Sequence, residues 1–238
     1  MTEMASASRA ESKSKPINLK RMFTVWLLLA LAMTAVSLAC LAALPKSPPP
    51  SDPQGAVPRD TAALGAMIWP EHAPPGHTWR YIVVHHSATP SGTLEAIDQN
   101  HRDRGFVNGA GYHFLINNGR SPGTIDGQIT PTGRWLEQID GAHTKVREHP
   151  ELNAEGIGIC LVGNFEQSPP TPAQMASLEV LVLTLRDRYN IPLERIIAHG
   201  ELKNTQCPGR LFPMEAFLMD LRQAYLKSHL ATSPSTAE

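Results

Sequence analysis

The chain has 238 residues, a formal net charge of -1 and 42% hydrophobic residues, which is room for one ordinary domain plus appendages. Nothing in that near-neutral balance points to a nucleic-acid partner, and none is expected. The three cysteines cannot all pair, and they fall in an apolar run, a strand-like run and a polar loop, so no disulfide framework is expected.

Residues 1–21 are polar and carry Arg9, Lys13, Lys15, Lys20 and Arg21, whereas 22–44 is apolar and uncharged. About 20 helical residues cross about 30 Å of hydrocarbon, so this run is long enough to be a transmembrane signal anchor. The basic flank predicts a cytoplasmic N-terminus and a following domain on the far side of the membrane. A cleaved signal peptide is the competing reading, because Ser37-Leu38-Ala39 places small residues before Cys40. A lipoprotein signal at Cys40 is a further variant, with serine where such signals usually carry leucine. The anchor is favoured because the run exceeds an ordinary signal-peptide core. From 45 to 76 the composition turns to Pro, Ala, Ser and Gly, and Ser47-Pro-Pro-Pro-Ser-Asp-Pro53 favours an extended spacer without a packed core.

Folded structure is expected over 77–228, followed by a disordered tail over 229–238. Trp79 to Val84 reads as a buried strand ending at His85. Thr93 precedes a short helix that Gly105 stops. Gly111 to Ile116 reads as a second strand, 117–133 as a long surface loop, and Arg134 to Gln138 as a further strand. Gly156 to Val162 fits a central strand buried on both faces, with Cys160 in the core. Thr171-Pro-Ala-Gln174 opens a helix with threonine as cap, proline at the first position and glutamine closing a capping box. Met175, Leu178, Leu181, Val182 and Leu185 then share one face. Ile196 to Ala198 is a short strand, and Met214, Phe217, Leu218, Leu221 and Tyr225 mark a last helix. The sum is an α/β domain, a mixed central sheet with helices on both sides.

Chemistry concentrates in Ile196 to Gly209, which brings His199 and Cys207 to one loop after a strand, while His85 and His86 end the first strand. Two imidazoles and a thiolate form a zinc set whose fourth tetrahedral position is open, as in catalytic sites. A buried core histidine beside an inert thiol is the other reading, and spacing alone does not separate the two.

The fragments Val84-His-His-Ser-Ala-Thr89, Gly111-Tyr-His-Phe114, Gly141-Ala-His143, Gly156-Ile-Gly-Ile-Cys-Leu-Val-Gly163 and Ala198-His199…Cys207-Pro208 occur in one order. In that order the chain resembles the type 2 N-acetylmuramoyl-L-alanine amidases, the family of amidase-type phage lysozymes and peptidoglycan recognition proteins, over about residues 79–226. The resemblance implies zinc held by His85, His199 and Cys207, and hydrolysis of the amide between N-acetylmuramic acid and L-alanine in peptidoglycan. It implies Tyr112 as catalytic hydrogen-bond donor and Thr205 as a second catalytic residue, at a position where phage lysozymes carry lysine and active recognition proteins often carry threonine. His143 and Asn153 match positions that contact muropeptide. The cytosolic anhydromuropeptide amidases have aspartate and glutamate where this chain has Cys207 and Cys160, which disfavours a carboxylate base. The expected partners are peptidoglycan and the membrane, with the chain a monomer. A non-catalytic muropeptide-binding module and a cysteine hydrolase using Cys207 as nucleophile and His199 as base are the rival readings.

Overall fold

The computed structural model describes residues 20, 23, 24, 26, 27, 64, 65, 68, 69 and 77–232 other than 147 and 148. The chain divides into two units, residues 1–50 and 51–238. In the first unit the described residues are helical, with Thr24 Oγ1 donating to the Lys20 carbonyl at 2.9 Å and Phe23, Trp26 and Leu27 exposed. Most of the apolar run 22–44 lies outside the described residues, and among those described no helix is long and apolar enough to cross a membrane.

In the second unit, β-branched and apolar runs build a five-stranded sheet: β1 (Tyr81–His86), β2 (Phe114–Asn118), β3 (Asp126–Pro131), β4 (Gly156–Leu161) and β5 (Ile196–Ala198), in the order β3-β2-β4-β1-β5. β1 runs parallel to β4 and β5, β4 parallel to β2, and only β2–β3 is antiparallel. The central β4 is buried along its whole length, which is why its sequence reads as a continuous apolar run rather than an alternation.

Alternation along each strand assigns side chains to two layers. Ile82, Val84, Ile157 and Ile159 join the main core with Leu178, Leu181, Val182 and Leu185 of α4 (Pro172–Tyr189) and Phe217 and Leu221 of α6 (Met214–Thr232). Leu115, Cys160 and Val162 face the other way and pack with Leu94 and Ile97 of α1 (Leu94–Asp103). His85 alternates with Val84 and pairs in register with Cys160, so its side chain lies on the α1 side of the sheet. The sheet therefore has helices on both faces. The helix signals behave as their chemistry dictates: Thr93 Oγ1 accepts from Ala96 N at 3.2 Å, and Thr171 and Gln174 form a complete capping box. Short helices α2 (Gly133–Leu136), α3 (Glu151–Ala154) and α5 (His199–Leu202), with a 3-10 turn at Leu193–Arg195, complete the unit.

Several expectations need correcting. Residues 134–138 are not a strand, because Trp135 is fully buried at the centre of α2, packed against Phe114 and Trp79 with ring centroids 4.5 and 6.0 Å away. The strand in this region is β3, inside the loop expected over 117–133. β1 continues through His86, so His85 lies within the strand, and β2 starts at Phe114 rather than Gly111. α6 runs to Thr232, so 229–232 of the expected disordered tail are helical.

The spacer also differs. Leu64 and Ile68 are helical and fully buried in the main core, and Trp69 packs against Trp135 and Tyr189 at 5.7 and 6.1 Å. Trp135 Nε1 donates to the Ile68 carbonyl at 2.7 Å. The folded unit thus takes in one turn of chain upstream of residue 77.

Candidate active site

Parallel strands end on one edge of the sheet, and open α/β sheets hold ligands there. β1 delivers His85 and His86 to this edge, and β5 passes directly into α5, whose first residue is His199. Ala198 N donates to Glu201 Oε1 at 3.0 Å, closing that first turn. The segment ending at Cys207 folds back over Gly200, where an added Cβ would meet the Cys207 and Thr205 carbonyl oxygens at 2.8 and 3.0 Å. Only glycine allows this approach. As a result the donor atoms of His85, His199 and Cys207 all lie within 4.8 Å of one another.

Hydrogen bonds fix the state of each donor. His143 Nε2 lies 2.9 Å from the Gly156 carbonyl, which can only accept, so that nitrogen carries the proton. His143 Nδ1 is then an acceptor, taking the Nε2 proton of His85 at 3.1 Å. The chain of bonds leaves the lone pair of His85 Nδ1 facing Cys207 Sγ, 3.7 Å away. Such a bond to the far nitrogen of a ligating histidine sets its tautomer and orientation. Cys207 Sγ accepts the His86 amide at 3.4 Å, and His86 Nδ1 accepts the Phe165 amide at 3.2 Å. His199 Nε2 is buried and has no hydrogen-bond partner among the described residues, a state that costs about 1–3 kcal/mol when nothing compensates it. A soft cation fits this donor set: one directed imidazole lone pair, one thiol and one ring with an unpartnered buried nitrogen.

The electrostatics agree. Burial holds His85 well below the ordinary histidine range, and neighbouring His143, His199 and His86 push it further down. Burial likewise takes His143 down to about 4 and, with Lys203 and His86 adding to it, lowers His199. All three rings are neutral at pH 7, as metal ligation requires. Burial raises the Cys207 thiol to about 11, opposed by the His86 amide, so Cys207 is a thiol until a cation beside it removes the proton. Tyr112 is held well above the ordinary phenol range, first by burial and then by Cys160 and Cys207, and it is a proton-bearing donor at neutral pH.

His85, His199 and Cys207 open into a cleft of about 640 Å³ that Tyr112, Asn153 and Thr205 also line. The Tyr112 ring lies 5.2 Å from the His85 ring and packs against Cys160. Thr205 Oγ1 accepts the Cys207 amide at 3.4 Å, and its own proton has no acceptor among the described residues. His143, expected at the substrate, lines the same cleft; it is largely buried with both ring nitrogens committed, and the contacts it makes within the protein position His85. Its ring fits over Gly158, where an added Cβ would come within 2.5 Å of it. Asn153 Oδ1 accepts the His143 and Thr144 amides, both at 3.0 Å, and its Nδ2 donates to the Thr144 carbonyl at 2.6 Å, so this side chain pins the segment that carries His143. His113 was missed as a supporting residue. Its Nδ1 accepts the Gly158 amide at 2.9 Å, its Nε2 donates to the Ile139 carbonyl at 3.1 Å, and its ring stands edge-on to His143 at 5.7 Å. Its place beside Tyr112 in Gly-Tyr-His-Phe was the available signal.

Residues 75–210 match the sequence model of the N-acetylmuramoyl-L-alanine amidase family. The endolysin of Escherichia phage T7 is 34% identical over 160 residues, 64% of this chain and 89% of the phage protein. This chain belongs to the N-acetylmuramoyl-L-alanine amidase family. Peptidoglycan-recognition protein LB of Drosophila melanogaster is 30% identical over 145 residues, 56% of this chain and 56% of that protein. Among solved structures, the N-acetylmuramoyl-L-alanine amidase LysC from Clostridium intestinale URNW aligns with a TM-score of 0.52 at 33% identity, covering 65% of this chain and 92% of LysC. The amidase-family match takes in β1 through Cys207, and leaves outside it Leu64, Ile68 and α6, all of which contribute to the core.

Proposed function

We propose that the chain is a zinc-dependent N-acetylmuramoyl-L-alanine amidase, which hydrolyses the amide between N-acetylmuramic acid and L-alanine in peptidoglycan. The observation that carries this reading is the convergence of His85, His199 and Cys207 with the His85 lone pair directed inward by His143. Zinc bound by these donors would supply Lewis acidity and lower the pKa of a water from about 15.7 to about 7.

The chain's own residues have the remaining tasks. The Gly156–His143–His85 bonds hold the ligand ring in one tautomer. Tyr112, protonated and half-buried beside His85, donates a hydrogen bond to the oxygen that gains charge as the amide carbonyl becomes tetrahedral. Thr205, whose hydroxyl proton has no acceptor among the described residues, lines the same cleft and can assist the departing amine, which must leave protonated. A thiol raised to about 11 argues against Cys207 as an unassisted nucleophile. On sequence alone, 22–44 would tether the domain to the membrane, with the cleft on the wall side.

The test is zinc analysis of the full-length protein together with a digest of purified muropeptides. Stoichiometric zinc is expected, with new N-terminal L-alanine released, lost on chelation and restored by zinc. Muropeptide bound at full zinc occupancy without cleavage would make the chain a recognition module. Cleavage indifferent to chelators would return Cys207 to the role of nucleophile.

A further inference from the structure

The cleft carries a charge that the chain as a whole does not. Against a net charge of -1, the described residues that line the cleft and an adjoining pocket of about 240 Å³ include Arg104, Lys145 and Lys203 but no aspartate or glutamate. The two recesses share Ser87, His101, Arg104 and Tyr112, so Arg104 stands where one opens into the other. The three cations come from separate parts of the chain: Arg104 caps α1, Lys203 caps α5, and Lys145 follows the segment pinned by Asn153.

These side chains are exposed, and among the described residues none makes an ion pair. Elsewhere Arg80, Arg102, Arg186 and Arg210 are each matched with a carboxylate. The Arg104 guanidinium lies 5.4 Å over the Phe106 ring and has no protein acceptor among the described residues. A guanidinium with its N–H groups unclaimed is built for a carboxylate, which it binds through two parallel hydrogen bonds. A cleft lined by one sign of charge also concentrates ligands of the other sign.

We propose that this cleft selects stem peptides whose carboxylates are free over those whose carboxylates are amidated, with Arg104, Lys145 and Lys203 making the selection. The inference rests on the amidase reading for its substrate, but its own observation is the unpaired positive lining. Two muropeptides identical except for amidation of the stem carboxylates are titrated by calorimetry into zinc-loaded full-length protein, and their cleavage is followed in parallel. At low salt the free acid is expected to bind about tenfold more tightly, equivalent to about 1.4 kcal/mol. The ratio shrinks as the Debye length falls from about 30 Å at 0.01 M to about 8 Å at 0.15 M. The combined variant Arg104→Met, Lys145→Met, Lys203→Met brings the ratio to within about twofold, because exposed pairs contribute about 0–1 kcal/mol each. Lys227→Met, on α6 away from the cleft, leaves it unchanged. Equal affinity for the two peptides, or no binding of either, overturns the selection. Preferential binding of the free acid without any cleavage supports it while sinking the amidase reading.

Discussion

Removing the chain up to residue 76 should cost most of the stability of the domain, although the family match begins at residue 75. The deletion takes away Leu64 and Ile68, which are 0% and 1% exposed; burial of each is worth about 1.5–3 kcal/mol. It also takes away the Ile68 carbonyl that accepts from Trp135 Nε1, and a buried donor left without an acceptor costs about 1–3 kcal/mol. Together these losses come to about 4–9 kcal/mol, with the apolar part an upper bound because the unfolded chain is not fully extended. A domain of this size has only about 5–15 kcal/mol in total. Urea unfolding of fragments starting at residues 51 and 77 measures the difference directly. Leu64→Ala in the longer fragment should cost about 2–5 kcal/mol by itself. Coincident unfolding midpoints for the two fragments would show that the turn at 64–69 adds nothing, and that the Trp135 indole finds water instead.

Other outcomes follow from the site. Cys207→Ser should abolish zinc binding and cleavage while leaving the melting temperature of the zinc-free protein nearly unchanged; a zinc-loaded, active Ser variant would remove Cys207 from the ligand set. Tyr112→Phe keeps the ring packed and removes only the hydroxyl, so kcat should fall by about 10² to 10³ with KM and zinc content steady. If kcat stays within a few fold of wild type, Tyr112 is a packing residue. His143→Phe should weaken zinc about 10- to 100-fold, as loss of a hydrogen bond behind a ligand does, and unchanged affinity in a competition titration would refute its positioning role. Cys160→Ser places a hydroxyl in the buried cluster with Leu115 and Val162 and should lower thermal stability with zinc content intact, whereas zinc loss from a folded variant would contradict that assignment.

The residues of the site were legible in sequence to the extent that their types are rare and their positions follow strand ends. His85 and His199 each lie where a short apolar run gives way to polar chain, and Cys207 follows in the polar loop after His199. Their orientation was not legible, because the tautomer of His85 depends on a bond to His143, 58 positions away, and from there on the Gly156 carbonyl. A histidine that touches substrate and one that turns another histidine look alike in a string of letters. α2 was misread because Arg134 to Gln138 is too short for its period to separate strand from helix, and burial of Trp135 decides the matter. Leu64 and Ile68 were lost in a background of Pro, Ala and Gly. Two apolar residues one helical turn apart carry too little periodicity to stand out, and the core they join, with the Trp135 indole that donates to Ile68, is distant in the chain.

The alternation of Val84 and His85 along β1 divides what selection can change. Val84 is held by the main core, while His85 and the other two donors stand outside that cluster, at the strand edge and on the segment folded over Gly200. On the proposed zinc-amidase reading, a lineage that lost Cys207 would lose its chemistry and keep its architecture, cleft included. Catalyst and receptor are then neighbouring states of one scaffold, separated by a few side chains and by no change of fold.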